Sequence, residues 1–181
     1  MKTINKLRCT RFIVGKGRSL SIGRIYYELD FDVYLPSRGF NLQRELCWTL
    51  EQKRELIMSV LLERTIPPLS IIISYKQNDE NPIMEIIDGK QRLSTLLEFM
   101  EDEFSIILEG KEYLFSQLPE DYQVAYKVHN IEYNSLSAHD YSYESITDQD
   151  KIDWFKRINF GGTEQDKAHM EKLKSTTEEY S

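Results

Sequence analysis

Cysteine is nearly absent: Cys9 and Cys47 are the 2 in 181 residues, with no C-x-x-C spacing, which excludes a disulfide framework. Histidine is as scarce, and His129, His139 and His169 lack zinc-type spacing, so no sequence-local metal site is expected. No window approaches the roughly 20 apolar residues of a membrane span, and residues 1–11 lack the apolar centre of a signal peptide. A cytoplasmic protein without a membrane partner is the expectation. Internal repeats and long linkers are also missing, so one domain is expected.

Acidic residues are missing from one place only. The first 27 residues carry Lys2, Lys6, Arg8, Arg11, Lys16, Arg18 and Arg24 with no carboxylate, so the net charge of −7 leaves the remainder strongly negative. A basic arm (residues 1–24) offers counterion-release contacts to DNA, or stands solvated. Residues 98–153 set fourteen carboxylates against Lys111, Lys127 and Lys151, a face that repels a nucleic-acid backbone.

What is present reads as alternating strands and helices in residues 25–174, with a frayed tail at 175–181. Leu29, Phe31, Val33 and Leu35 alternate as a half-buried strand ended by Pro36. Thr49 and Gln52 form a capping box opening a helix of about four turns to near Arg64, stopped by Pro67 and Pro68. Residues 69–75 are a continuous apolar run suited to a central strand. A second run, 83–87, meets a helix over 92–101. Glu109-Gly110 marks a hairpin, and Pro119 with Glu120 and Asp121 starts a short helix. A strand at 128–133, a polar loop at 134–143, a helix from about Asp148 to Ile158 and a charged helix over 164–174 complete the reading.

Three polar clusters sit at element boundaries, where function concentrates. Gln43-Arg44 precedes Trp48: the arginine presents a planar fork to phosphate, and the tryptophan either stacks on a base or anchors the helix in the core. Asp88-Gly89-Lys90-Gln91-Arg92 joins strand to helix. Asp88 suits the N-cap, Gly89 permits close backbone approach, the free amides and helix dipole favour an anion, and Lys90 and Arg92 add two mobile cations. Arg157-Ile158-Asn159-Phe160-Gly161-Gly162-Thr163 forms either an anion-friendly nest or a plain helix-to-helix turn.

In this order the three clusters, with Ile66-Pro67-Pro68 between them, resemble the GmrSD-type restriction endonuclease N-terminal domain family, whose hallmark is D-G-Q-Q-R. The resemblance covers roughly residues 25–170. It implies an α+β fold of ParB/sulfiredoxin-like type, a small mixed sheet with flanking helices and a helical C-terminal part. It also implies a nucleoside-triphosphate site, with Mg²⁺, used in defence systems to license a nuclease against modified foreign DNA. Carried over, Gln43 and Arg44 contact the nucleotide, and Gly89, Lys90, Gln91 and Arg92 cradle phosphate. Arg157, Asn159, Gly161, Gly162 and Thr163 close the far side. Asp88, Gln91 and Arg92 are the catalytic candidates, Asp88 either holding Mg²⁺ or a water, or only capping the helix and orienting Arg92.

Lys90 stands where the family has its first Gln, which puts any water-orienting amide there in doubt. No H-N-H constellation follows Thr163. The expectation is a nucleotide-binding module, hydrolysing or not, that works with a separate nuclease. The alternative is a DNA- or partner-binding protein without turnover, with the acidic stretch as a decoy surface a third reading. On the leading reading, Arg92→Ala abolishes triphosphate binding, measured by calorimetry, and leaves the melting temperature nearly unchanged.

Overall fold

Two apolar runs without polar alternation have to be covered on both faces, and here they become the central antiparallel pair of one sheet. The structure, a computed structural model, describes residues 12–25, 28–31, 33–42, 45–78, 80–138, 140–142 and 145–159. Among them run β1 (Phe12–Ser21), β2 (Glu28–Asp30), β3 (Tyr34–Leu35), β4 (Phe40–Asn41), α1 (Leu50–Leu61), β5 (Leu69–Ser74), β6 (Ile83–Asp88), α2 (Lys90–Met100), β7 (Ile106–Leu108), β8 (Lys111–Tyr113), α3 (Glu120–Val128), β9 (Asn130–Ala138) and α4 (Asp148–Asn159). The fold is α+β. Its main sheet has five strands in the order β1-β9-β5-β6-β2, with two small hairpins, β3-β4 and β7-β8. Strands β5 and β9, and β2 and β6, run parallel; the other neighbours are antiparallel.

Strand alternation sorts the core into two layers. Ile71, Met84, Ile86 and Ile131 meet Ile57 and Val60 of α1, Leu93, Leu96 and Phe99 of α2, and Tyr126 of α3. Ile72, Ile87, Leu136 and Ala138 face the other way, onto Ile152, Trp154 and Phe155 of α4 and onto Val33, Leu35 and Leu42. Each fully buried aliphatic side chain contributes roughly 1.5–3 kcal/mol. Tyr126 can be wholly enclosed because its hydroxyl donates to the Leu96 carbonyl at 2.9 Å. Burial pushes that phenol's pKa upward.

The Thr49–Gln52 capping box forms as expected, although α1 ends at Leu61 rather than near Arg64. Glu109 and Gly110 both take positive φ, as a tight hairpin turn demands. Two expectations are corrected. The strand expected over 29–35 is two strands in different sheets, because Asp30 pairs with Glu85 of β6 whereas Tyr34 pairs with Asn41. The polar loop expected at 134–143 is strand as far as Ala138, since β9 continues between β1 and β5 and buries Ser135 and Ser137. Residues 12–21 of the basic segment form β1, the edge strand on β9. The helix expected at 164–174 and the tail beyond it lie outside the described residues.

Helix α4 is fastened to the sheet by a buried ion pair. The Lys151 ammonium donates to Glu85 Oε1, with the residues 4% and 1% exposed. Glu85 Oε2 and Trp154 Nε1 are buried without a partner. Burial raises the Glu85 pKa, Lys151 opposes the rise, and Asp30 and Asp148 add to it. Folded Glu85 therefore holds its proton to higher pH than the unfolded carboxyl. The stability tied to that proton is fully present below the ordinary value of 4.5 and is lost as pH rises through the folded value. Lys151→Met strands the charge and is expected to cost about 3–5 kcal/mol near neutrality. Urea midpoints should show the deficit shrinking on acidification to about pH 5, and Glu85→Leu combined with Lys151→Met recovering most of it.

Candidate functional site

Strand β6 ends at Asp88 and α2 begins at Lys90, so the chain turns from sheet to helix within one residue. Gly89 makes that turn at φ 102°, ψ 13°, and occupies the N-cap position itself. A Cβ there would lie 2.3 Å from Leu69 Cδ2, so glycine is required both by conformation and by space. Asp88 is thus not the cap its sequence position suggested. No side chain caps α2, and the amides of its first turn carry the positive end of the helix dipole.

The Asp88 carboxylate instead accepts from Arg92 Nη2 at 2.7 Å. Arg92 Nη1 donates to the Pro67 carbonyl and, at 3.2 Å, to that of Pro68. The Arg92 side chain is 14% exposed. Burial lowers its pKa while Asp88 opposes the shift. Arg92 is a clasp, not the mobile cation expected from the sequence. Gln91 does similar work on its other side: Oε1 accepts from the amides of Cys47 and Trp48 at 3.0 and 3.2 Å, and Nε2 donates to the Glu45 carbonyl at 2.8 Å. A further ion pair, Lys53 to Glu98 at 2.5 Å, ties α1 to α2.

Between these fastened segments lies a groove of about 880 Å³. Its walls are Trp48, Gln52, Glu55 and Ser59 on one side, Thr65, Ile66 and Pro67 on another, and Asp88 to Arg92 along the floor. Lys90 lines it, half-buried. The structure therefore brings the Asp88–Arg92 cluster together with the segment that directly follows Gln43-Arg44, and Gln91 is the link. Gln43, Arg44, Gly161, Gly162 and Thr163 lie outside the described residues, as does the side chain of Asn159. Arg157 sits on α4, across the sheet from α2. Its guanidinium carbon is 6.0 Å from the Trp154 ring centroid, and it does not line the groove. Asp88 as a partner that orients Arg92 was one of the two roles read from sequence, whereas the carbonyls of Pro67 and Pro68 were missed. Pro67-Pro68 did carry a signal, because a prolyl pair holds extended backbone whose carbonyls bond nothing locally. Among the described residues no group of three or more His, Cys, Asp or Glu could hold a metal unaided.

The chain belongs to the GmrSD restriction endonuclease N-terminal domain family. The match runs over residues 33–176, which takes in every element from β3 to α4 and leaves β1 and β2 ahead of it. No curated protein and no solved structure matches the sequence. No helix among the described residues is long and apolar enough to cross a membrane.

The clasp reverses the outcome expected for Arg92. Arg92→Ala leaves two prolyl carbonyls and a part-buried carboxylate without their donor, and should cost about 2–4 kcal/mol in urea unfolding. Gly89→Ala should cost at least as much as the ~1–3 kcal/mol of a forced left-handed residue, because Leu69 must also move.

Proposed function

We propose that this domain of a restriction-system family binds a nucleoside triphosphate in the groove at the start of α2, and serves as a regulatory module for a nuclease. The observation that carries this reading is the uncapped start of α2, opening into a groove of nucleotide size. Its first-turn amides and Lys90 supply donors for phosphate, and Trp48 supplies a flat apolar wall for a base. The mixed sheet covered by helices on both faces supports a ParB/sulfiredoxin-like assignment.

The same geometry favours binding over turnover. Phosphoryl transfer relies on positioned charge and an oriented nucleophile. Here the Arg92 guanidinium neutralises Asp88, and the Gln91 amide is occupied by three backbone bonds. Lys90 replaces the remaining family amide. Mg²⁺ keeps most of its ligands from water and phosphate and takes one or two carboxylates; Asp88 and Glu55 are the groove's carboxylates that fit, and the ion would neutralise phosphate charge. Isothermal titration with ATP, GTP, CTP and UTP in Mg²⁺ tests the reading, and folded protein giving no heat with any of them overturns it. Lys90→Ala should weaken binding about 10- to 100-fold, the ~1.5–3 kcal/mol of a charge-assisted hydrogen bond, in protein whose fold is confirmed by circular dichroism.

A further inference from the structure

A second concave site lies on the face of the sheet that also carries α1, α2 and α3, toward the end of β5 far from Gly89. Strand β1 is bulged between Gly15 and Arg18, with Gly17 in the left-handed region at φ 59°. A bulge re-aims the side chain that follows it. Arg18 lies back across Gly15, where an added Cβ would sit 2.8 Å from Arg18 Nε and 2.5 Å from Ser135 Oγ. The missing side chain at Gly15 is what lets the guanidinium cross the strand.

Arg18 reaches a groove of about 450 Å³ lined by Tyr75, Tyr133, Tyr141, Ile73 and Met84. Tyr141 takes φ 55°, a conformation costing a non-glycine residue roughly 1–3 kcal/mol, and such strain clusters at binding sites. Its carbonyl accepts from the Tyr75 amide at 2.8 Å, and the two rings meet edge to face with centroids 6.2 Å apart. Among the described residues no carboxylate forms an ion pair with Arg18. Beside the two rings lies a second hollow of about 370 Å³ that shares Tyr75 and Tyr141 and adds both Lys76 and Asp140, so the cationic side of the site is the β1 side.

We infer that this tyrosine groove, with Arg18 across its mouth, binds a single-stranded nucleic acid, its bases against the rings and its phosphates on Arg18 and the basic edge. Aromatic platforms combined with cations are the chemistry of single-strand binding, since every base offers a flat face. The charge distribution selects the approach: Lys16 and Arg18 lie on β1 and Arg24 just past it, in a segment without a carboxylate, while the chain beyond residue 27 is negative overall. An acidic peptide would satisfy Arg18 and leave the tyrosine faces unused.

Fluorescence anisotropy of a labelled oligothymidine of about twelve nucleotides, titrated with the whole chain at low salt, tests this. Arg18→Gln and Tyr75→Ala should each weaken binding about tenfold or more. Gly15→Ala is the decisive variant because it leaves the net charge unchanged and its nearest neighbours are the side chains of Ser135 and Arg18 rather than backbone, so it displaces the guanidinium while circular dichroism and melting confirm the fold. A loss in all three variants supports the site. Absence of binding overturns it, as does binding lost only with Arg18→Gln, duplex bound as tightly as single strand, or equal displacement by polyglutamate.

Discussion

The Arg92 guanidinium holds together the end of the molecule that carries the groove. It is enclosed, bonded to Asp88 four residues back across the strand-to-helix turn, and bonded again to the carbonyls of Pro67 and Pro68. Neither the charge nor the two carbonyls could be buried alone without a penalty of several kcal/mol. Together they satisfy one another. One turn of α2 thereby fixes two distant segments: Arg92 holds the approach to β5, and Gln91 holds residues 45–48 ahead of α1. The groove walls are set by hydrogen bonds to backbone, so the proposed triphosphate would meet a preformed site.

This division of labour bears on how the D-G-K-Q-R stretch is read. Its sequence suggests a set of ligand-seeking side chains, yet four of the five residues, Asp88 among them through its pairing with Arg92, serve the scaffold. Gly89 supplies a left-handed turn with Leu69 against it, Gln91 binds backbone, and Arg92 binds Asp88 and backbone. The groups that line the groove with anion-binding chemistry are the first-turn amides and Lys90. A cation at position 90 is then intelligible as compensation: with Arg92 committed elsewhere, Lys90 supplies positive charge where phosphate would lie.

Much of the fold was legible where local chemistry and tertiary environment agree. The run at residues 69–74 had no polar alternation and became a strand buried on both faces. The capping box at Thr49 started a helix because both of its bonds are local. Legibility failed where environment overruled composition. Ser135 and Ser137 read as loop residues, but at the face that receives Gly15 and Arg18 small side chains are needed, and β9 buries them. Alternation through residues 29–35 looked like one strand because period 2 does not report which partner each residue takes. For the site, the cluster at the start of α2 was legible in place though not in role, since nothing within the motif announces that its arginine will find Pro67 twenty-five residues away.

Strands β5 and β6 run from one proposed site to the other. Leu69 at one end touches Gly89, while Ile73 and Met84 at the other line the tyrosine groove. Four to five residues of strand place the two roughly 15 Å apart. The pair is locked by its register shift between Ser70 and Ile71 and by cover on both faces, so neither end can slide without disrupting a two-sided core. Ligands at the two ends should therefore act additively unless the sheet pair moves as a body. The element best placed to make it do so is α4, joined to β6 at mid-strand through Glu85 and Lys151. A signal passing from nucleotide to nucleic acid through this domain would have to work against that buried ion pair.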